Sequence, residues 1–420
     1  MNYEETLEWL FTQTSVFERE GATAYKPGLQ TITSLCEQMK IPYKELRTVH
    51  VAGTNGKGST SSLLAAIFQS AGLRTGLFTS PHISDFRERI RVNGEMIPRD
   101  EVVSFVERYQ LEVRGLTPSF FELTTAMGFD WFARQGVDIA VIEVGLGGRL
   151  DSTNIITPEV SVITNISLDH TALLGNTLAE VATEKAGIIK PGVPVVIGEA
   201  EQAEVREVFE AAVRKNGSTI SFARPLQGVK SPSGGWDFPD EGIHLELDGE
   251  FQLRNMATVL DVMRYFPEIS REAIAAGAAN VCTLTGLRGR MSRTQLPDGR
   301  TLIFDTGHNP GAWVYTSRFI AETPDLTAVI GFAADKDVDA ILRMLPVEGH
   351  YIFTAPATPR ALPAEELQRK AAAVGLEGPI AETPAEAIHM AATGAILLAG
   401  SNYFGQNFPE SSTKERSSAE

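Results

Sequence analysis

From about residue 45 the chain alternates short apolar, β-branched runs with longer amphipathic segments. Two of the runs, Asp138–Val144 and Val160–Ile166, are almost wholly apolar, as expected of parallel strands that are covered on both faces. The alternation predicts βαβ units around a parallel sheet. The predicted elements of this part are the helix Ser59–Ala71 and the strands Arg47–Ala52, Thr75–Thr79, Asp138–Val144, Val160–Ile166 and Val193–Ile197.

The rhythm breaks between about residues 225 and 250, where Gly, Pro and Ser predict a loop or a hairpin insertion. Two helices are predicted next, at Leu253–Arg264 and Arg271–Asn280. A second alternation then begins, which places a domain boundary near residue 285 and a second domain over residues 286–405. Residues 406–420 are polar and Ser-rich and predict a disordered tail. The strands predicted in the second domain are Thr301–Phe304, Leu326–Ile330, His350–Phe353 and Ala395–Leu398.

Composition narrows the class of protein. The 420 residues include 37 Lys and Arg against 53 Asp and Glu, and the net charge of −16 argues against nucleic acid or an anionic membrane as a partner. Cys36 and Cys282 are too far apart in sequence to indicate a disulfide framework or a Cys-rich zinc site. The acidic N-terminus lacks the pattern of a signal peptide, and no apolar run reaches 18 residues. We therefore expect a cytoplasmic protein.

A glycine-rich segment between the first predicted strand and helix is the strongest local motif. Gly53, Gly56 and Gly58 allow backbone N–H groups to surround phosphate oxygens, and Lys57 adds a positive charge. Ser59 offers a hydroxyl to Mg²⁺. The segment departs from the strict P-loop pattern because Gly58 separates the lysine from the hydroxyl residue. A glycine-rich turn without a ligand is the alternative.

Further polar residues follow the other predicted strands, at the sheet edge where α/β proteins bind ligands. Ser80 follows the second strand, Glu143 ends the third and His170 follows the fourth, while Lys185 lies on a predicted helix. Each has a structural alternative. Ser80 would then cap a helix, Glu143 would form an ion pair, His170 would pack in the interior and Lys185 would pair with an acidic neighbour. The charged residues 87–91 would face solvent.

These motifs resemble those of one enzyme family. The segments G-T-N-G-K-G-S at 53–59, T-S-P-H at 79–82, E-V-G-L-G-G-R-L-D at 143–151 and E-K-A-G-I at 184–188 are similar to those of the dihydrofolate synthases and folylpolyglutamate synthases in the Mur ligase superfamily. The resemblance extends from about Tyr25 to Phe404. It implies an α/β fold with a P-loop-type parallel-sheet ATPase domain over residues 1–285, which also binds the pterin, and a smaller Rossmann-like C-terminal ligase domain.

The resemblance also implies roles for individual residues. Lys57, Glu143, His170 and Lys185 would be catalytic, and Lys185 would be carbamylated. The implied ligands of two Mg²⁺ ions are Ser59, Ser80, Glu143, His170 and Lys185, with K⁺ as a candidate further cation. The implied nucleotide contacts are Gly53, Thr54, Asn55, Gly56, Lys57, Gly58, Ser59, Gln252, Asn255, Arg290, Asp305 and His308.

The substrate side is implied by segments similar to the pterin-cleft segments of the family, although paired Phe residues also commonly belong to a core. Three departures from the family pattern, Phe251, Arg288 and Ser292, leave the nucleotide edge contacts open. The implied substrate residues are Lys26, Pro27, Gly28, Phe120, Phe121, Glu122, Asp151, Ser152 and Asn154.

The activity implied is an ADP-forming ligase that joins L-glutamate to dihydropteroate, to tetrahydrofolate polyglutamates, or to both, through an acyl phosphate made from ATP. A monomer is expected. One alternative is a peptidoglycan precursor ligase, but the 52 residues before Gly53 are few for a separate UDP-binding domain. A nucleotide-binding regulatory protein without catalysis is the other, and it predicts a damaged set of metal ligands, whereas all five are present.

Overall fold

The computed structural model describes residues 1–16, 21, 28–323, 325–391 and 394–408. The chain divides into two units, Met1–Leu287 and Arg288–Glu420. None of the described helices is both long and apolar enough to cross a membrane. Cys36 is buried, Cys282 is partly exposed, and both are free thiols.

One sheet organises the first unit. Its strands run in the spatial order β4-β3-β2-β5-β1-β6-β7-β8, and all pairings are parallel except those of the short edge strands β3 and β4. All five strands predicted in this unit are present, with ends shifted by a few residues. The strands are β1 (Thr48–Ala52), β2 (Thr75–Phe78), β3 (Ile90–Val92), β4 (Glu95–Met96), β5 (Ile139–Glu143), β6 (Val160–Ile163), β7 (Val195–Ile197) and β8 (Ile220–Phe222).

Helices cover both faces of this sheet. Short 3₁₀ turns at 43–45, 86–89 and 152–155 join some of the elements. The helices are α1 (Tyr3–Gln13), α2 (Gln30–Gln38), α3 (Lys57–Ser70), α4 (Arg99–Glu112), α5 (Phe120–Arg134), α6 (Thr171–Leu174), α7 (Leu178–Ala186), α8 (Ala203–Asn216), α9 (Phe251–Met263), α10 (Arg271–Ala279) and α11 (Val281–Thr285).

The two faces of the sheet bury separate apolar clusters. Val49 and Val51 of β1 pack with α3 and α9, whereas Ala140 and Ile142 of β5 pack with α5 on the opposite face. Successive residues of a strand point to opposite faces, so a strand covered on both faces must be apolar throughout. His50, between the two valines of β1, is completely buried although its side chain is polar.

The segment expected to be a loop or a hairpin forms a small antiparallel sheet. Its strands are β9 (Val229–Lys230), β10 (Trp236–Phe238) and β11 (Ile243–Leu245), in the order β11-β10-β9. Phe238, Ile243 and Leu245 are buried in the same cluster as α3. The glycines and prolines of this segment predicted its turns, and the hairpin alternative allowed two antiparallel strands, whereas the three-stranded sheet depends on burial against α3.

The second unit contains a five-stranded sheet in the order β12-β13-β16-β14-β15, in which only β12 is antiparallel to its neighbour. The sequence predicted the four parallel strands and missed β12. The strands are β12 (Ser292–Gln295), β13 (Thr301–Asp305), β14 (Leu326–Ile330), β15 (His350–Phe353) and β16 (Ala395–Ala399), and the helices are α12 (Pro310–Glu322), α13 (Val338–Leu342), α14 (Ala364–Ala372) and α15 (Pro384–Met390).

A 3₁₀ helix, Asn402–Asn407, follows the last strand. It extends two residues into the segment 406–420 that was expected to be disordered, because Phe404 is buried and Phe408 stacks near Phe304 at a ring separation of 5.5 Å. Residues 409–420 lie outside the described part of the chain.

Helix α10 crosses α3 at very short range. A Cβ atom added to Gly277 would lie 2.6 Å from both the backbone N and the Cα of Ile67. Backbone atoms cannot move aside as a flexible side chain can, so the crossing requires glycine. The glycine-rich segment leads into the N-terminus of α3, whereas Ile67 lies near its C-terminus. The crossing therefore fixes α3 at the end away from the glycine-rich segment.

We predict that Gly277→Ala destabilises the first unit. Overpacking of this kind costs about 1 to 3 kcal/mol, and the better helix propensity of alanine offsets part of it. The urea midpoint of unfolding, followed by circular dichroism, should fall. Ala276→Ser, on the exposed side of the same helix, is the matched control and should lower the midpoint only by the small difference in helix propensity. An unchanged or higher midpoint for Gly277→Ala would contradict the close crossing.

Candidate active site

The segment between β1 and α3, residues 53–56, is held by the residues that follow β6. The backbone N–H of Thr54 donates to the carbonyl oxygen of Asn165 at 3.0 Å, and that of Asn55 donates to the side-chain oxygen of Asn165 at 2.8 Å. The Thr164 hydroxyl donates to the carbonyl oxygen of Asn55. Both backbone groups of Asn55 are therefore fixed by β6.

Two glycines make this close packing possible. Gly53 has φ +148°, and a Cβ there would lie 1.8 Å from the Thr164 hydroxyl oxygen. Gly56 has φ +84°, and a Cβ there would lie 2.3 Å from the side-chain oxygen of Asn255. These two positions exclude any other residue, because L-amino acids avoid such φ values and no space remains for a side chain.

The segment leads directly into the N-terminus of α3. Gly56 is the residue before the helix, and it has no side chain that could cap the first turn. The N-terminal N–H groups and the helix dipole of such an end favour a phosphate. The geometry of residues 53–59 therefore fits the phosphate-binding role predicted from the glycines.

Two lysine side chains meet at one carbonyl oxygen of this segment. The Lys57 Nζ donates to the carbonyl oxygen of Gly53 at 3.1 Å, and the Lys185 Nζ, from α7, donates to the same atom at 3.0 Å. Both nitrogens thus lie near the same oxygen. Burial, and then the neighbouring charge of Lys57, lower the pKa of Lys185 to about 7. Lys185 is therefore not the solvated lysine that its helix position allowed.

Glu143 and Ser80 are brought together at the ends of two neighbouring strands. Glu143 ends β5 and is 3% exposed, and its carboxylate accepts the backbone N–H of Ser80, just after β2, at 3.2 Å. On the other side of β1, the Ser59 hydroxyl accepts a hydrogen bond from Gln252 at 3.2 Å. Gln252 is completely buried, and its amide positions Ser59. The nucleotide contact implied for Gln252 stays a prediction.

His170 lies at the start of α6 in the left-handed region, with φ +50°. Its backbone N–H donates to the carboxylate of Asp169 at 2.9 Å. Asp169 also acts electrostatically on Lys185, which places this turn beside the buried amine. Asp169 and His170 are thus near Lys185.

The candidate metal-ligating side chains suit Mg²⁺. Among the described residues no group of three His, Cys, Asp or Glu side chains forms a metal site. Mg²⁺ in nucleotide enzymes is usually bound through one or two carboxylates, substrate phosphates and water. One buried carboxylate with serine hydroxyls beside a phosphate-binding loop fits that pattern. Ser59, Ser80, Glu143 and His170, with Lys185 as a carbamate, are the candidate ligands.

Most predicted substrate residues take part in internal contacts. Phe120 is 2% exposed and stacks on Phe11 with ring centroids 5.0 Å apart, so it belongs to the core. Glu122 is buried and accepts hydrogen bonds from the backbone N–H and the hydroxyl of Ser119, the N-cap residue of α5, and so completes a capping box. Phe121 is only partly buried, and its ring would meet a Cβ on Gly145 at 2.5 Å.

The segment after the glycines that follow β5 is also internally bonded. Asp151 is 4% exposed, its carboxylate accepts the backbone N–H of Leu146 at 2.8 Å, and burial raises its pKa. Asn154 donates to the carbonyl oxygens of Arg149 and Gly187. Ser152, between them, is partly exposed.

The start of the predicted pterin segment is only partly described. Gly28 is partly buried with φ +128°, whereas Lys26 and Pro27 lie outside the described residues. Arg89, in the charged stretch expected to face solvent, is 1% exposed, and its Nε donates to the Nδ1 of His82 at 2.8 Å. The guanidinium lies over the ring of Phe120 at 5.2 Å. This stretch is therefore not simply a solvated surface.

Two of the nucleotide candidates, Asn255 and Asp305, have defined partners. Asn255 is buried and donates to the side-chain oxygen of Gln252 at 2.8 Å. In the second unit, Asp305 ends β13, accepts the backbone N–H groups of Met291 and Gly307, and has a pKa raised by burial.

Arg290 and His308 lie beside Asp305 in the second unit. Arg290 donates to the carbonyl oxygen of Gly289 and to the Thr306 hydroxyl. His308 Nδ1 lies 2.9 Å from the carbonyl oxygen of Thr306, so it carries the proton. The three candidates therefore form one cluster around Thr306.

Sequence inspection missed the residues that hold the glycine-rich segment, Thr164 and Asn165. The signal that could have identified them is their position, directly after β6, the strand next to β1 in the sheet. Strand order is not legible in a single sequence, so the pairing of β6 with β1 had to come from the structure.

Comparison with known proteins identifies the family. The Mur ligase middle domain matches residues 51–263, and the Mur ligase glutamate ligase domain matches residues 289–402. The chain is 34% identical over 393 residues to a folylpolyglutamate synthase of Lacticaseibacillus casei, a match that covers 86% of this chain and 88% of the relative.

Solved structures indicate the same family as the sequence matches. E. coli FolC in complex with DHPP and ADP has a TM-score of 0.82 and 27% identity, covering 97% of this chain and 96% of that chain. A bifunctional folylpolyglutamate synthase/dihydrofolate synthase with Mn, AMPPNP and L-glutamate bound has a TM-score of 0.79 and 27% identity, covering 96% of each chain. The predicted fold class is confirmed, and the chain belongs to the Mur ligase family, in the group of the folylpolyglutamate synthases and dihydrofolate synthases.

Proposed function

We propose that this protein joins L-glutamate both to dihydropteroate and to tetrahydrofolate polyglutamates. It is an ADP-forming ligase of folate metabolism that depends on ATP and a divalent metal ion. The observation that carries the site assignment is the convergence of Lys57 and Lys185 on the carbonyl oxygen of Gly53, at the N-terminus of α3. A monomeric state and a cytoplasmic location are part of the proposal.

The chemistry requires activation of a carboxylate. A carboxylate is a poor acyl donor, so the γ-phosphoryl group of ATP first passes to a carboxylate oxygen of the acceptor, giving an acyl phosphate and ADP. The amine of glutamate then attacks the acyl carbon, phosphate leaves, and the nitrogen loses a proton. Catalysis of this kind is largely positioning and electrostatic stabilisation.

The residues around the glycine-rich segment suit the first transfer. We assign Gly53 to Ser59 to the phosphates of ATP, with Lys57 offsetting their negative charge. Because Thr164 and Asn165 fix residue 55 beforehand, the segment needs little rearrangement to accept the nucleotide. Ser59, Ser80, Glu143, His170 and carbamylated Lys185 are the proposed ligands of two Mg²⁺ ions, which when bound supply positive charge to the transferring phosphoryl group.

The predictions for Asn255, Arg290, Asp305 and His308 as nucleotide contacts stay part of the proposal. Among the substrate candidates, Phe121 has the strongest support because it is partly exposed beside Gly145. Phe120 and Glu122 support the cleft from the core. Asp151 and Asn154 order the segment that leads from Glu143.

Carbamylation of Lys185 requires a neutral amine, which adds CO₂ and loses a proton. The side chain is 3% exposed and its pKa is lowered to about 7, far below its ordinary value of 10.5, so a substantial neutral fraction exists at physiological pH. The fraction able to react increases as the pH rises through about 7.

We predict that Lys185→Arg removes both the carbamate and the activity. Arginine keeps a positive charge but cannot carry CO₂, and we expect kcat to fall on the order of 100-fold. Intact-protein mass spectrometry under bicarbonate should detect one added CO₂ in the wild type and none in the variant. Lys190→Arg is the control, since Lys190 is a partly buried lysine whose pKa is also lowered by burial. Full activity of Lys185→Arg would rule out the carbamate.

We further predict the acceptors. Phosphate release with ATP, Mg²⁺ and L-glutamate should be stimulated by dihydropteroate and by tetrahydrofolate, and not by a UDP-muramoyl acceptor. Omission of glutamate should abolish net turnover in each case. Absence of turnover with both pterins would overturn the proposed function, whereas turnover with one alone would restrict it to that synthase activity.

A further inference from the structure

A buried chain of polar side chains runs from β1 to the segment that follows Glu143. It consists of His50, Thr153 and Asp151, of which the first two are completely buried and the third is 4% exposed. The Nε2 of His50 lies 2.8 Å from the Thr153 hydroxyl oxygen, and this hydroxyl lies 2.5 Å from the Asp151 carboxylate. Three polar residues in an apolar region are costly unless they bond to one another.

The proton positions on His50 and Thr153 follow from the hydrogen bonds of Asp151. The Asp151 carboxylate accepts backbone N–H groups on both oxygens, from Leu146 at 2.8 Å and from Thr153 at 2.9 Å. The Thr153 hydroxyl also donates to Asp151. A hydroxyl has a single proton, so its oxygen must accept the bond from His50. His50 therefore carries its proton on Nε2.

The other ring nitrogen of His50 has no hydrogen-bond partner among the described residues. An imidazolium would place a second N–H there without an acceptor. Burial, and then the charge of Lys190, lower the pKa of His50 to about 3, in agreement with a neutral ring. His50 is thus a fixed donor whose protonation does not change near neutral pH.

The hydrogen-bonded row of His50, Thr153 and Asp151 ends at the segment that begins with Glu143. Leu146, held by Asp151, is three residues beyond the candidate metal ligand, and the intervening Gly145 packs against the ring of Phe121. The backbone after Glu143 is consequently fixed by a hydrogen bond on one residue and by ring packing on the one before. The strand pairing of β5 with β1 fixes it on the other side, through Val51 and Glu143.

We propose that His50 and Thr153 are positioning residues for the ligase reaction: through Asp151 they fix the segment 144–146 and so the direction of the Glu143 carboxylate toward its divalent metal ion. Neither residue contacts the substrate in this scheme. The inference rests on the proposed function in so far as Glu143 binds the metal. Residues that orient metal ligands typically change metal affinity by about 10- to 100-fold when they are replaced.

A pair of substitutions at Thr153 tests whether this row of hydrogen bonds positions Glu143. Thr153→Val keeps the shape and removes the hydroxyl, and Thr153→Ser keeps the hydroxyl. Binding of Mn²⁺ is measured by electron paramagnetic resonance with a non-hydrolysable ATP analogue and without acceptor. We expect Thr153→Val to weaken Mn²⁺ binding about 10-fold and to raise the Mg²⁺ concentration for half-maximal phosphate release, whereas Thr153→Ser stays close to the wild type.

A purely structural role gives a different result. It predicts a lower unfolding temperature for Thr153→Val with unchanged Mn²⁺ affinity, and that outcome, or a raised KM for dihydropteroate alone, would overturn the proposal. If Thr153→Val does not fold, the same measurements on His50→Leu and His50→Gln decide, because only glutamine can still donate to Thr153. Inactivity of the wild type with every pterin would contradict the proposed function instead. Mn²⁺ binding would still test the positioning role of His50 and Thr153.

Discussion

The carbonyl oxygen of Gly53 is the atom around which the first unit is organised. It accepts hydrogen bonds from two lysines, one at the start of α3 and one from α7. Two ammonium groups this close repel each other, and burial together with the charge of Lys57 lowers the pKa of Lys185 to about 7. The backbone at residue 53 must also turn through a conformation open to glycine alone.

This constraint connects the remaining parts of the site. Because β1 is central, the segment that follows it is in reach of residues after β5 and β6, its two neighbours. β6 supplies Thr164 and Asn165, which hold residue 55, and β5 supplies Glu143. The site thus depends on strand order more than on any single motif, as expected at the carboxyl edge of a parallel sheet.

The sequence predicted what depends on local pattern. The strands β1, β2, β5 and β6, the glycine-rich segment and the strand-end positions of Ser80 and Glu143 all follow from apolar runs and their ends. It did not predict that Gln252 holds Ser59, since this contact joins residues through the tertiary fold. For Phe120 the sequence left both a core position and a substrate contact open. For residues 229–245 the sequence left a loop or a hairpin open. It could not decide between them, because the stability of the short strands comes from burial against α3 while their own composition favours turns.

The attachment of residues 54 and 55 to β6 has an energetic consequence for nucleotide affinity. A flexible glycine-rich segment loses conformational entropy when it closes around a ligand, and this loss weakens binding. Here the hydrogen bonds to Thr164 and Asn165 order the segment when the chain folds. The ordering cost therefore falls on folding, so most of the interaction energy with the phosphates remains available as affinity.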